Sequence, residues 1–278
     1  MKITFSYDCE GNWGFVDFPN QPLSGYSCRE LNICYEFLTD IHIKNGIPAQ
    51  FAFVALYAMK PEERAEYVRT NLRDMIYKYP NLLKRGSMWE GFENLTLVKQ
   101  KSALSDLIKI SSHSLTHIPI THLTELQSIR EYSDSRKLLQ KIAETNIENY
   151  IFPRNQIKRV LLCKNYYKGF RNTYANTTFQ RGKDFLRSVS GIDILPSNSE
   201  FVFWKSGARK YFSDIPWYRM WEVRMQNLVR GRNIMDTVHV WSHPHNAMTD
   251  PSVIDRISWL CQLLQEHRQY LSLSNSFE

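Results

Sequence analysis

The chain has 278 residues and a formal net charge of +7. Hydrophobic residues make up 43% of it and aromatic residues 13%, which is enough for a large buried core and excludes a disordered chain. No apolar run is long enough for a transmembrane helix, which needs about 18 residues. Asp8 also follows the amino terminus too closely for a secretory signal peptide. We therefore expect a cytoplasmic protein.

The positive charge and the cysteines limit the classes of partner. A basic surplus favours anionic partners such as phosphate-linked substrates, or it is simply a basic surface without a partner. The basic residues are scattered and form no nucleic-acid-binding motif, so we expect no nucleic acid. The five cysteines form no CxxC pair, which argues against a disulfide framework and against a cysteine-based zinc site.

Strand patterns alternate with helical patterns along the chain, without a linker or an internal repeat. In chain order, the patterns predict strand 2–7, helix 28–44, strand 50–57, helix 61–85, strand 107–110, helix 123–147, strand 150–152, helix 156–168, helix 217–230, strand 238–241 and helix 251–270. Residues 86–103 are mixed, and 170–215 have an irregular composition. This order predicts one α/β domain over 1–278, built around a parallel sheet or barrel.

Polar clusters follow several of the predicted strands directly. There are four of these clusters: Asp8 with Glu10, His113 with His117, Pro153 with Arg154, and His243. In parallel α/β folds the loops after the carboxyl ends of the strands carry the chemistry. We therefore expect the four clusters to converge on one site.

The second cluster has the spacing of a metal site. His113 and His117 are four residues apart, so a helical turn or a loop can bring both imidazoles to one ion. Asp8 and Glu10 point the same way if the strand pleat persists, and one acid could bind the metal while the other acts as a base. The alternatives are two surface histidines and an exposed acidic turn.

The other two clusters suggest an acid and an anion contact. His243, made rigid by Pro244, could protonate a leaving group, or it could be a surface histidine. Arg154 could offer a guanidinium or a backbone N–H to an oxyanion, or the segment could simply begin a helix with Asn155 as its N-cap.

Taken in order, the motifs resemble those of the polysaccharide deacetylase superfamily, also called the NodB-homology or carbohydrate esterase family 4. The similarity spans nearly the whole chain, and the His113–His117 segment (H-S-L-T-H) is its most specific element. The other matching segments are 5–11 (FSYDCEG), 45–53 (NGIPAQFAF), 151–156 (IFPRNQ, as in a glycan-cluster branch of the family) and 241–246 (WSHPHN).

This resemblance implies a distorted (β/α) barrel and hydrolysis of an N-acyl group, in the first instance acetyl, from an amino sugar. By carry-over, Glu10, His113 and His117 would hold a divalent metal such as zinc. Asp8 would be the general base and His243 the general acid, and the backbone N–H of Arg154 would sit near the oxyanion.

The sequence also departs from the family pattern. The third-motif arginine usually precedes the prolines, whereas Arg154 follows Pro153, and a glutamate replaces the usual aspartate at the metal. Asp214 with Trp217 is a loose candidate for the fourth motif. The assignment of base and ligand between Asp8 and Glu10 therefore rests on the resemblance.

The resemblance leads to one main functional hypothesis and several alternatives. The main hypothesis is an N-deacetylase of surface-polysaccharide or O-antigen-type (lipopolysaccharide) biosynthesis, acting on a sugar nucleotide or a lipid-linked saccharide. The alternatives are a deformylase of a lipid-linked amino sugar and a catalytically altered relative that binds carbohydrate. A third is a glycoside hydrolase that uses Asp8 and Glu10 as its carboxylate pair.

Overall fold

The structure is a computed structural model that describes residues 1–18, 26–156, 158–171, 215–231 and 237–274. Most of the segment predicted to be irregular, and with it the candidate Asp214, lies outside the described residues. Trp217 belongs to a described helix, but its side chain is not described.

A parallel sheet forms the centre of the fold. Its strands are β1 (Lys2–Cys9), β2 (Ala49–Phe53), β3 (Ile108–Ser112), β4 (Asn149–Ile151), β5 (Gly169–Arg171), β6 (Thr237–Ser242) and β7 (Ser272–Ser274). The strand order is β5-β4-β3-β2-β1-β6. The short β7 pairs with the first residues of β1, and β2 pairs with the last five. Every pairing among the described strands is parallel.

Helices cover the outside of the sheet. They are α1 (Cys28–Asn45), α2 (Ala55–Ala58), α3 (Pro61–Asn71), α4 (Arg73–Ile76), α5 (Phe92–Leu104), α6 (Glu125–Ala143), α7 (Val160–Lys164), α8 (Ile215–Val229), α9 (Asn246–Thr249) and α10 (Ser252–Glu266). The long helix α1 begins with a capping box between Ser27 and Glu30 and ends at Gly46, whose φ is 65°. Both are strong local signals for the limits of a helix.

The alternation of side chains along β1 separates the apolar core from the polar interior of the sheet. Tyr7, on the outer face, packs on Phe51 and hydrogen-bonds through its hydroxyl to His42 of α1 at 2.7 Å. Ser6 and Asp8, on the opposite face, meet polar partners from β5 and β6 instead. The period of two along a strand therefore places Asp8 on the inner face.

The sheet curls into a distorted (β/α) barrel, which confirms the predicted fold class. One contact demonstrates the curl: Arg171 of β5 lies 2.6 Å from Asp8 of β1. These strands are four places apart in the sheet, so a flat sheet would separate them by about 19 Å at about 4.8 Å per strand. The same guanidinium lies 4.8 Å from the ring of Trp241 on β6.

Several sequence predictions differ from the structure. The helix expected over 61–85 ends at Asn71, and α4 and a 3₁₀ turn (Pro80–Leu83) follow it. The strand expected over 50–57 ends at Phe53, and the short helix α2 follows. The segment 86–103 contains the helix α5, which was not predicted. The helix expected over 156–168 is only five residues long, and the strand β5 follows it. The segment 50–57 is a nearly continuous apolar run, so its period could not distinguish a strand from a helix.

No helix in the described part of the chain is both long enough and apolar enough to cross a membrane.

Candidate metal centre

Glu10 lies just beyond β1, where the chain turns into a short 3₁₀ helix (Gly11–Phe15). The carboxylate folds back over this turn, and Gly14 provides the space. A Cβ at Gly14 would lie 2.2 Å from Glu10 Oε1, well inside van der Waals contact. A glycine at this position therefore lets the carboxylate point into the barrel.

His113 and His117 lie in a loop and not on a helix. His113 continues the ladder of β3, since its N–H donates to the Phe53 carbonyl at 2.8 Å. The chain then turns through Ser114 and His117, whose φ angles are 77° and 65°. The His117 N–H donates to Ser114 Oγ at 2.9 Å. The spacing of the two histidines allowed either a helical turn or a loop, and the structure has a loop.

Three buried side chains from these segments converge. Glu10 Oε2 lies 3.1 Å from His113 Nε2 and 2.7 Å from His117 Nε2, and the two Nε2 atoms are 3.1 Å apart. For comparison, the ligand atoms of a tetrahedral zinc ion would be about 3.3 Å apart. Among the described residues this is a group that could hold a metal ion.

The hydrogen bonds of His113 fit the same interpretation. Its Nδ1 lies 3.0 Å from the Ile151 carbonyl, an acceptor only, so Nδ1 carries the proton. In the neutral ring Nε2 then has a free lone pair, as in metal-binding histidines that donate their second nitrogen to a carbonyl. Burial lowers the pKa of His117, which favours its neutral form as well. The donor set therefore fits a divalent cation with an open position for a further ligand.

Asp8 lies next to this group but has a different partner. Its two oxygens accept hydrogen bonds from the two terminal nitrogens of Arg171, each at 2.6 Å. Asp8 Oδ2 lies 3.9 Å from His113 Nε2. Burial alone would raise the pKa of Asp8, but Arg171 and His113 outweigh it and lower this pKa to about 2. Asp8 is therefore an ionised, fixed carboxylate beside the metal ligands.

Besides Asp8, Arg171 is held by one residue of β1 and one residue that follows β4. It donates to Ser6 Oγ and to Asn155 Oδ1, each at 3.1 Å. Ser6 Oγ lies 2.9 Å from His239 Nε2 and, while accepting from Arg171, can donate its own proton to that nitrogen. Burial and the nearby Arg171 lower the pKa of His239 well below its usual value, consistent with a neutral ring.

His243 completes the group from the end of β6. Its Nε2 lies 3.3 Å from Glu10 Oε1, and the ring remains partly exposed. Burial lowers the pKa of His243, but Glu10 and Asp8 raise it overall. Its ring stacks on that of His245 with 4.9 Å between centroids. Burial lowers the pKa of His245 to about 3, so His243 is the ring of this pair that favours the protonated form.

Arg154 has its guanidinium away from Asp8. It pairs with Asp17, donates to the Gly14 carbonyl at 3.1 Å and lies 4.3 Å from the ring of Phe18. Its own φ is 53°, inside a short turn (Pro153–Asn155). The side chain thus supports the Gly11–Phe15 turn, and the expectation that its backbone N–H faces an oxyanion stays a prediction.

The structure therefore brings together Asp8, Glu10, His113, His117 and His243, and adds one residue that the sequence reasoning missed. Arg171 was missed because its strand has only three residues and follows a segment with a helical pattern. Asp8 offered a signal, because a buried acid needs a cationic partner. The arginine that usually precedes the prolines of the third motif is missing here, so that partner had to come from elsewhere.

Of the three comparisons with known proteins, the comparison with solved structures gives matches and the other two do not. No protein-family model and no curated protein matches the chain. Among solved structures, a protein from Mycobacterium smegmatis described as a polysaccharide deacetylase has a TM-score of 0.56 and 12% identity, over 98% of this chain and 91% of its own.

Two further structures are similar over most of their length. A family 4 carbohydrate esterase from Streptomyces lividans, in complex with acetate, has a TM-score of 0.45 and 12% identity, over 97% of this chain and 90% of its own. A family 4 acetyl xylan esterase from Clostridium thermocellum, in complex with a cobalt ion, has a TM-score of 0.44 and 10% identity, over 100% and 87%. At such identities the M. smegmatis match, with its higher TM-score, shows the fold alone. The chain has the polysaccharide deacetylase fold.

Proposed function

We propose that this protein is a metal-dependent hydrolase that removes an N-acyl group, in the first instance acetyl, from an amino sugar. The observation that supports it most is the convergence of Glu10, His113 and His117, with the ionised Asp8 3.9 Å from His113. A carboxylate and two imidazoles are ligands that zinc accepts, so we propose zinc as the ion.

The roles of the residues follow from their partners. A divalent ion at this site would polarise the acyl carbonyl and acidify a water molecule. Asp8 accepts the proton of the attacking water, and its two hydrogen bonds to Arg171 fix the carboxylate for that transfer. The low pKa of Asp8 keeps it ionised at neutral pH but makes it a weak base, so Arg171 contributes orientation and not basicity.

His243 is the proposed general acid. The nearby carboxylates favour its protonated form, and its partial exposure leaves it accessible to a substrate. It donates a proton to the departing amine, which leaves much more readily when protonated. The backbone N–H of Arg154 is proposed as an oxyanion donor, as in the family that the sequence resembles.

The proposal extends to the class of substrate and its setting. A net charge of +7 would suit a phosphate-linked saccharide, either a sugar nucleotide or a lipid-linked sugar. We also propose that the reaction belongs to cytoplasmic assembly of a surface polysaccharide of O-antigen type. A formyl group in place of acetyl would use the same residues.

The test is release of free amine from N-acetylated and N-formylated amino sugars, presented as free, nucleotide-linked and lipid-linked forms, with added zinc. We expect activity in the intact protein and its loss in His113→Ala. His122→Ala is the matched control, because His122 is exposed and lies in the neighbouring 3₁₀ turn (Ile120–His122). If the zinc-loaded protein releases no amine from any of these substrates, the proposed function is wrong.

A further inference from the structure

The loop between the two metal-ligating histidines adopts a backbone conformation that it would not hold alone. Both Ser114 and His117 have positive φ angles, which are costly for residues with a side chain. Such conformations persist only where the surroundings fix them. The position of His117 Nε2 therefore depends on what the rest of the protein supplies to this loop.

One side of the loop is held through its carbonyls. The N–H groups of Ala55 and Leu56, at the start of α2, donate to the carbonyls of Ser114 and Leu115 at 2.9 and 3.1 Å. These bonds do not involve the N–H groups of Leu115 and Thr116, which need other acceptors.

The other side is held by one carboxylate. Glu131, on the inner face of α6, accepts from the N–H groups of Leu115 and Thr116 at 2.8 and 3.1 Å, and from Thr116 Oγ1 at 2.5 Å. Its side chain is almost fully buried, at 1% exposure. Three donors, all from the adjacent residues Leu115 and Thr116 of the His113–His117 loop, thus converge on one carboxyl group.

A carboxylate matches this set of donors. Its two oxygens offer about four acceptor sites and no proton of their own when ionised, so three donors can be met at once. A buried carboxylate is unfavourable unless its hydrogen bonds compensate the lost hydration. Here burial raises the pKa of Glu131 to about 7, although Thr116 and Leu115 counter the effect. An apolar residue could be buried here at a lower cost in free energy, but it would leave the three donors without an acceptor.

We propose that Glu131 is a positioning residue that holds the His113–His117 loop and thereby sets the affinity of the site for a divalent ion. The inference rests on the proposed function, because it takes His113 and His117 as ligands. Glu131 acts through the loop, since its hydrogen bonds reach Leu115 and Thr116 and so fix the backbone immediately before His117.

The test compares zinc affinity among four proteins: the intact chain, Glu131→Ala, Glu131→Gln and Ser135→Ala. Affinity is measured by competition with a chromophoric chelator, and thermal unfolding of the metal-free proteins is measured beside it. Ser135 is the matched control, because it is buried one turn further along α6. Its hydroxyl bonds to the Tyr167 hydroxyl and to a backbone carbonyl of its own helix, and not to the His113–His117 loop. The absorption spectrum of bound Co²⁺ reports the geometry of the ligands independently of stability.

We expect zinc affinity to fall by about 10- to 100-fold in Glu131→Ala, as for other residues that support metal ligands. Glutamine keeps one oxygen for the two N–H groups, so Glu131→Gln should lose less, yet more than Ser135→Ala, and should shift the Co²⁺ spectrum. If the intact chain binds no zinc, the proposed function fails. If it binds zinc and Glu131→Ala binds equally well, the positioning role is wrong. Should Glu131→Ala not fold, a Glu131→Gln protein with the affinity and spectrum of Ser135→Ala overturns the inference.

Discussion

The pair between Asp8 and Arg171 makes a quantitative prediction about stability. Arg171→Met keeps much of the buried volume and removes the guanidinium that holds Asp8 by two hydrogen bonds of 2.6 Å. Asp8 then becomes a buried carboxylate without its cation. Breaking a buried pair in this way costs about 3–5 kcal/mol of the free energy of unfolding.

The pKa of Asp8 gives a second measure of the same interaction. The pKa falls from 3.8 to about 2 in the folded protein. At about 1.4 kcal/mol per unit, the folded state favours ionised Asp8 by about 2.5 kcal/mol. Because the folded pKa is depressed, this stability is present above pH 3.8 and is lost as the pH falls toward 2. The low-pH loss should therefore be absent from Arg171→Met.

The assay is a double-mutant cycle by urea unfolding of the metal-free protein at pH 7. Its members are the intact chain, Arg171→Met, Asp8→Asn and the double variant. Each single change leaves one buried partner unsatisfied, while the double change removes both, so we expect a coupling of at least about 2 kcal/mol. If the two single losses add to the double loss within about 0.5 kcal/mol, the buried pair does not fix Asp8 as described.

Three further predictions follow from other contacts at the site. Gly14→Ala should weaken zinc binding at least about tenfold in the chelator competition, because its Cβ would lie 2.2 Å from Glu10 Oε1; unchanged affinity would contradict this packing. Because burial raises the folded pKa of Glu131 to about 7 from 4.5, the metal-free protein should lose about 3 kcal/mol of unfolding free energy as the pH rises between these values. Glu131→Gln should remove that loss, and an equal slope in both proteins would refute it. His243→Ala should lower kcat by about 10²- to 10⁴-fold and remove the decline of activity at high pH, with zinc affinity nearly unchanged; a parallel loss of zinc would instead make His243 a ligand.

The parts of the site that local patterns encode could be predicted from sequence. Asp8 and Glu10 end an apolar strand, and His113 ends another, so their placement at one edge of the sheet follows from the strand signals alone. His243 follows β6 in the same way. The rule that parallel strands carry chemistry at their carboxyl ends then brings these residues together without knowledge of the barrel.

The partners of those residues could not be predicted in this way. Arg171 meets Asp8 only because the sheet curls and brings β5 to β1, and no local period carries that information. Glu131 lies in a helix that the sequence did predict, but its contact with the Thr116 hydroxyl depends on how α6 docks against the loop. Both are long-range contacts between a charged residue and a buried polar group, which the composition of a short window cannot reveal.

We infer that Glu10, His113 and His117 hold a catalytic metal ion. The most direct measurement is an anomalous difference map from crystals grown with zinc, with data collected on both sides of the zinc absorption edge. We predict one strong peak within about 2.0–2.2 Å of His113 Nε2, His117 Nε2 and a Glu10 oxygen. A zinc-saturated crystal with no anomalous density between these three residues would contradict it.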